Sequence, residues 1–251
     1  MALPKPKAAK KARRGASKGA AKRAAKSAPR SAGRKRRIAS KTAAIARKPL
    51  TVRAADEIAH QLFRAYRRVE VSADSVLLEA RSRGLLANSL EELRSLPLAK
   101  REALATTFIK SAKIWATGHG TSLGAAGVVT MAADIAALVA VNLRMIQHVA
   151  LSYGVPPAAE KIDAWAIMLG ALGEAVDIDA ARMIPPKHAP AAVTRLVSDV
   201  ASLFARRALR GTESAGRAVP IVGAVFGGLS NYAFTTEVGN RAREYYRSLA
   251  P

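Results

Sequence analysis

Apolar residues recur at helical spacing through most of the chain after residue 50. The first such stripe has members three and four residues apart, namely Ile58, Leu62, Ala65, Tyr66 and Val69. This spacing predicts an amphipathic helix whose arginines lie off the stripe. No run alternates apolar and polar residues for long enough to need a sheet. The sequence therefore predicts an all-α fold, with a single multi-helix domain over residues 50–251.

Capping residues mark two short helices after this stripe. Ser72 or Asp74 is placed to cap a helix that ends near Gly84. Ser89 and Glu92 form a capping box, in which each side chain accepts a hydrogen bond from a backbone N–H group that the helix leaves free. Both helices precede the long apolar part of the chain.

Long Gly/Ala-rich helices are predicted in the centre and at the C-terminus. A helix over 98–115 should end where Gly118 and Gly120 break or reorient it, and a central helix over 122–153 should stop at Gly154. The inward-facing residues of the first are predicted to be Leu104, Phe108, Ile109, Ala112 and Trp115. Further helices fit residues 158–172, 189–209 and 220–249.

Glycines in two nearly uncharged blocks are spaced for close helix packing. Gly120 and Gly124 lie four residues apart, as do Gly223 and Gly227, and such spacing lets two backbones approach. The favoured interpretation is helix crossing in a soluble core, with protein partners or self-association through the same faces; direct contact with lipid is the alternative. Residues 218–236 carry no charge over a length near that of a membrane span, but their glycines and polar residues make them weakly apolar.

A few polar residues lie within or beside these blocks: Asp134, Asn142, Arg144, Arg217 and Asn231. A charge among packed helices needs a partner, because an unpaired buried charge costs several kcal/mol. We therefore expect Asp134 to pair with Arg217 or with the Asn231 amide. The alternative is a polar pocket for the headgroup of a ligand.

The same two blocks resemble the EcsC family. The first joins a Gly-rich entry to Ala133-Asp134-Ile135, Asn142 to Ile146 and Tyr153-Gly154, and the second joins Arg217 to Ala224 with Asn231 and a tail from Val238 to Tyr246. The resemblance spans about residues 51–246 and leaves the N-terminal tail outside. It implies a helical, mostly bacterial protein, whose founding relative is encoded beside an ABC transporter linked to protein export. It brings no agreed set of catalytic residues.

One motif suggests hydrolase chemistry. Gly120-Thr-Ser122-Leu-Gly124 matches the G-x-S-x-G pattern, and Asp177 or Asp179 followed by His188 completes the order of a serine triad. The motif requires a strand before the serine, whereas a helix is predicted there, so a serine hydrolase is only a remote alternative.

The sequence offers little else for catalysis or metal binding. There are no cysteines, and the four histidines are scattered. An acidic turn around Glu174 is favoured over a divalent-ion site. We therefore expect no metal, no cofactor and a non-enzymatic protein.

Charge divides the chain sharply. Residues 1–50 hold 18 of the 41 lysines and arginines and no acid, so the remainder carries 23 bases against all 18 acids. Residues 1–49 hold few large apolar side chains and are predicted to be disordered. A flexible basic arm binds polyanions, either an anionic membrane surface or nucleic acid. Its densest cluster is Arg34, Lys35, Arg36 and Arg37.

These features predict a cytoplasmic scaffold or regulator, peripheral to the bacterial inner membrane and anchored electrostatically by its tail. The alternative is a nucleoid-associated or RNA-binding protein that uses the same tail. The Lys- and Ala-rich composition of the tail resembles that of the arms of histone-like nucleoid proteins, but no aromatic residue is present there to stack on bases.

Overall fold

The structure, a computed structural model, describes residues 49–119, 128–213 and 228–249. Within these ranges the chain forms nine α-helices, one 3₁₀ turn at Ala159–Lys161 and no strand, which confirms the all-α prediction. The helices are α1 Leu50–Tyr66, α2 Ala73–Ser82, α3 Leu90–Ser95, α4 Leu98–His119, α5 Val128–Ser152, α6 Ile162–Ala171, α7 Ile178–Arg182, α8 Ala189–Glu213 and α9 Gly228–Leu249. The predicted disorder of the basic tail concerns residues outside these ranges.

Helix α5 lies at the centre of the bundle, packed against α1, α4 and α9. Its residues 132–152 are long and apolar enough to cross a membrane, judged by length and composition alone, and 72 % of the apolar window is buried inside the protein. The core helix of a soluble protein meets the same criterion. Contact with three neighbouring helices is therefore sufficient to account for its apolar character.

The directions of the helices follow from cross-helix contacts. Asn231 of α9 lies beside Ala116 of α4. About two turns away on both helices, Gly239 packs closely against Ile109, so α4 and α9 are antiparallel. Phe108 of α4 stacks on His148 of α5. Leu104, about one turn earlier on α4, shares an apolar cluster with Leu151, about one turn later on α5, so α4 and α5 are antiparallel as well. Consequently α5 and α9 run parallel, and the C-terminal end of α4 lies beside the N-terminal ends of α5 and α9.

A smaller apolar cluster holds α2 and α3 against this bundle. It includes Val76 and Leu77 of α2, Leu93 of α3 and Leu151 of α5. The predicted caps are confirmed here, since the Ser72 hydroxyl accepts from the Ser75 N–H and the Ser89 hydroxyl from the Glu92 N–H. The other half of the predicted capping box differs, since the Glu92 carboxylate accepts from the Asn88 N–H, one residue before the Ser89 N–H that the box predicted.

Two details of α4 differ from the prediction. The helix continues through Gly118 to His119, so Gly118 does not break it. Trp115 is exposed rather than inward, while Leu104, Ile109 and Ala112 are buried as predicted. The last inward position is taken by the small Ala116, which lies against α9 and leaves no room there for an indole.

The ends of the other helices agree with the prediction in part. Helix α5 stops before Gly154, whose φ of +71° is the left-handed conformation that glycine adopts readily. The segment predicted as one helix over 158–172 is a 3₁₀ turn followed by α6, because Glu160 and Lys161 also have positive φ. Residues 178–182, predicted as part of an acidic turn, form the short α7.

Candidate functional site

A line of buried polar side chains runs between α4, α5 and α9. The Asn142 amide donates to the Leu138 carbonyl at 2.8 Å and lies 3.3 Å from the Thr235 hydroxyl of α9. One turn earlier on α9, the Asn231 amide donates to the Ala116 carbonyl at 3.3 Å. For the side-chain oxygens of both asparagines, no hydrogen-bond partner is found among the residues that the structure describes. The structure thus brings two predicted site residues into one seam.

The other predicted polar residues are placed differently. Asp134 is half-buried two turns before Asn142 on the same helix, and Arg144 is exposed on α5 away from the seam. Because Arg217 lies outside the described residues, the pairing of Asp134 with Arg217 or Asn231 stays a prediction. The packing glycines and the basic cluster also lie outside the described ranges: Gly120, Gly124, Gly223, Gly227, Arg34, Lys35, Arg36 and Arg37.

A second polar centre surrounds Asp163, a residue that the sequence analysis did not single out. Its side chain is 1 % exposed, and Oδ2 accepts from Arg182 Nη1 at 2.6 Å. The same oxygen accepts from the Tyr246 hydroxyl at 2.9 Å and from the Ala158 N–H at 3.3 Å. Oδ1 accepts from the Ala164 N–H at 2.9 Å. One carboxylate therefore links α6, α7 and α9.

Arg182 and Tyr246 are the side chains that donate to the Asp163 carboxylate. Arg182 also donates to the Pro156 carbonyl at 3.0 Å, so that both ends of its guanidinium are held. Burial, and then the Asp163 carboxylate, raise the pKa of Tyr246 well above its ordinary value. Tyr246 consequently keeps its proton at neutral pH and remains a donor to Asp163.

The turn before α6 forms one side of the same region. The Tyr66 hydroxyl contacts the Glu160 carboxylate and lies 3.0 Å from the Glu160 carbonyl oxygen. The centroids of the Tyr66 and Trp165 rings are 5.9 Å apart. Lys161 Nζ lies 4.9 Å from the centroid of the Tyr66 ring. These contacts hold the two left-handed residues in place, since such a conformation is costly for non-glycine residues.

This arrangement fits a structural role better than a catalytic one. Three donors contact Asp163 Oδ2 and one contacts Oδ1, and the side chain is only 1 % exposed, whereas a general base must lie within reach of a substrate proton. The signal available in the sequence was a single acid in the otherwise apolar run from Ile162 to Leu169. An acid buried in such a run needs a partner, and sequence could not show that Arg182 supplies it.

The described residues bear on the serine triad and on a metal site. Residues before the G-x-S-x-G motif form helix α4 instead of the strand that a nucleophile elbow requires, and Ser122 lies outside the described residues. The Asp177 carboxylate accepts from the Ala180 N–H at 2.9 Å and so caps α7. No group of three or more potential metal ligands occurs among the residues that the structure describes.

His148 makes the stability of the bundle dependent on pH. Its ring stacks on Phe108 with centroids 4.3 Å apart. Burial, and then Arg144, lower the pKa of His148 to about 4, against a smaller opposing effect of Glu79. Between about pH 6.5, the ordinary pKa of histidine, and about pH 4, His148 is protonated in the unfolded chain but largely neutral in the folded protein. Stability should therefore be unaffected above about pH 6.5 and fall as the pH is lowered towards 4.

Unfolding by urea at about pH 7 and pH 5 tests this. Between these two pH values, the free energy of unfolding should fall more in the wild-type protein than in His148→Gln, by on the order of 1 kcal/mol. Replacing the exposed His188 by glutamine should leave the wild-type difference unchanged. Equal pH dependence in wild type and His148→Gln would contradict the assignment.

Comparison with known proteins identifies the family. The EcsC protein family profile matches residues 20–248, starting within the basic segment, whereas the resemblance based on motifs began near residue 51. Uncharacterized protein YdbA from Bacillus subtilis strain 168 is 28 % identical over 167 residues, which are 63 % of this chain and 61 % of YdbA. The chain thus spans less than two-thirds of that relative's length, and no solved structure gives a significant match. Since the profile covers most of the sequence, the chain belongs to the EcsC family.

Proposed function

We propose that this EcsC-family protein is a non-enzymatic scaffold or regulator held at the cytoplasmic face of the bacterial inner membrane by its basic tail. The observation that carries the proposal is the charge division, with 18 bases and no acid in residues 1–50. Each Lys or Arg near an anionic leaflet contributes about 1 kcal/mol. A helical bundle joined to such an arm can bind a membrane without any enzymatic chemistry.

The polar centres of the bundle support the proposal that the protein is a scaffold or regulator and not an enzyme. The buried Asp163 carboxylate accepts from Arg182, Tyr246 and two backbone N–H groups. The Asn142 and Asn231 amides are engaged with backbone carbonyls of the helices. Both centres hold helices together, which suits a protein whose surfaces, rather than a reactive group, carry its role.

Deletion of residues 2–49 tests the attachment. The full chain should sediment with vesicles that contain phosphatidylglycerol and be released by high salt, because the field of the leaflet extends only about 8 Å at physiological ionic strength. The truncated chain should bind far less at low salt. Equal binding of the two proteins would show that the tail is not the attachment element.

Two matched variants separate electrostatic attraction from a specific motif. Replacing Arg34, Lys35, Arg36 and Arg37 by glutamine removes four charges, as does replacing Lys5, Lys7, Lys10 and Lys11. Non-specific attraction to a membrane predicts a similar loss of affinity in both. Binding to DNA or RNA in preference to vesicles at equal salt would favour the nucleic-acid alternative, which the Lys-Ala texture of the tail supports.

A further inference from the structure

Three large side chains are exposed at one end of the bundle. Ile114 is 74 % exposed, Trp115 60 % and Tyr232 46 %. Lys113 Nζ lies 4.3 Å from the centroid of the Tyr232 ring, and the Asn231 amide is bonded to Ala116. The last turns of α4 and the first turns of α9 are therefore at the same level. We call Ile114, Trp115 and Tyr232 the end ring.

The end ring lies outside the apolar core. Helix α4 buries Ile109, Ala112 and Ala116 on its inward face, so Ile114 and Trp115 stand outside the core. Scattered single apolar residues are normal on a protein surface, whereas several large ones at one level mark an interaction site. A Trp and a Tyr beside an aliphatic residue are typical of the boundary between membrane and water.

The charges near the end ring suit an anionic surface. The last ten residues of α4 contain Lys110 and Lys113 and no acid. Long basic side chains can place their stems against apolar groups while their charges reach the headgroups.

Two uncharged stretches of sequence contain the residues of the end ring. Residues 114–133 and 218–236 contain no Asp, Glu, Lys or Arg. Ile114 and Trp115 begin the first of these stretches, and Tyr232 lies in the second.

From these observations we propose that the end ring inserts into the headgroup region of an anionic bilayer. Insertion of this kind is shallow and gains affinity from buried apolar area together with attraction between Lys or Arg and anionic lipid. This inference rests on the membrane attachment proposed above and adds a second contact, in which the folded domain itself meets the lipid. It also fixes which end of the bundle faces the membrane.

The two tryptophans provide the test. Trp165 is fully buried, whereas Trp115 belongs to the end ring. With the full chain and phosphatidylglycerol vesicles, we expect the fluorescence to shift to shorter wavelength and to be quenched by lipids brominated near the headgroup. The Trp115→Phe variant should lose both effects, and Trp165→Phe should retain them. Binding without quenching of Trp115 would overturn the insertion while leaving attachment by the tail intact.

Affinity gives an independent measurement. The double variant Ile114→Ser with Tyr232→Ser should bind vesicles about tenfold more weakly, since both apolar contacts are removed, with little change in thermal stability. Leu86→Ser, at a position that is 88 % exposed and lies in the loop after α2, should not change affinity. An unchanged affinity in the double variant would contradict the proposal.

Two further results would also overturn it. A Trp115 shift that depends on protein concentration in the absence of vesicles would assign the end ring to contact with a second copy. If the full chain bound no vesicles at all, both the insertion and the tail attachment would be wrong.

Discussion

Replacing Asp163 by alanine is expected to lower the free energy of unfolding by about 3 kcal/mol or more. The substitution leaves Arg182 and the buried Tyr246 hydroxyl without the carboxylate to which they donate. The penalty of the unpaired groups exceeds the net contribution of an intact pair. Urea unfolding followed by circular dichroism measures the change.

An exposed ion pair provides the matched control. Glu237 and Arg241 lie 2.7 Å apart on α9, with nearly half of each side chain exposed. Because water screens such a pair, Glu237→Ala should cost less than about 1 kcal/mol. A loss for Asp163→Ala no larger than that of the control would show that the Asp163 centre does not hold α6, α7 and α9 together.

Replacing Gly154 by alanine should lower the free energy of unfolding by about 3 kcal/mol. The residue has a φ of +71°, and a Cβ there would lie 2.5 Å from both the Leu90 carbonyl oxygen and Arg94 Cβ. The left-handed conformation alone costs about 1–2 kcal/mol for alanine, and overpacking adds a similar amount.

Gly84→Ala separates these two contributions. Gly84 has a φ of +76° and no atom within 4 Å of the position that a Cβ would take. The Gly84→Ala variant should therefore lose only the conformational contribution to the free energy of unfolding, about 1 kcal/mol. Similar losses of stability at the two glycines would contradict the close contact between the end of α5 and α3.

Local signals in the sequence were sufficient for the helical fold and several helix ends. The serine caps of α2 and α3 and the stop at Gly154 depend on the residue itself and its neighbours, so they were predictable. The inward position of Trp115 was predicted wrongly because helical spacing does not show which positions need a small residue. Contact between α4 and α9 favours Ala116 at the close approach, and Trp115 is left outside.

The polar centres were predictable only in part. Asn142 and Asn231 were recognised because they interrupt apolar sequence, and both are buried in the seam between helices. Asp163 was missed, although it interrupts apolar sequence in the same way. Its partners Arg182 and Tyr246 lie 19 and 83 residues away along the chain, and contacts over such separations follow from tertiary packing rather than from any local pattern.

Fractionation of bacterial cells tests the proposed membrane attachment most directly. The full chain and the chain lacking residues 2–49 are compared, each with and without nuclease treatment and a high-salt wash. We predict that the full chain is found with the membranes and stays there after nuclease treatment, and that deletion of the tail moves most of it to the soluble fraction. Release of the full chain by nuclease would contradict membrane attachment and assign the tail to nucleic acid.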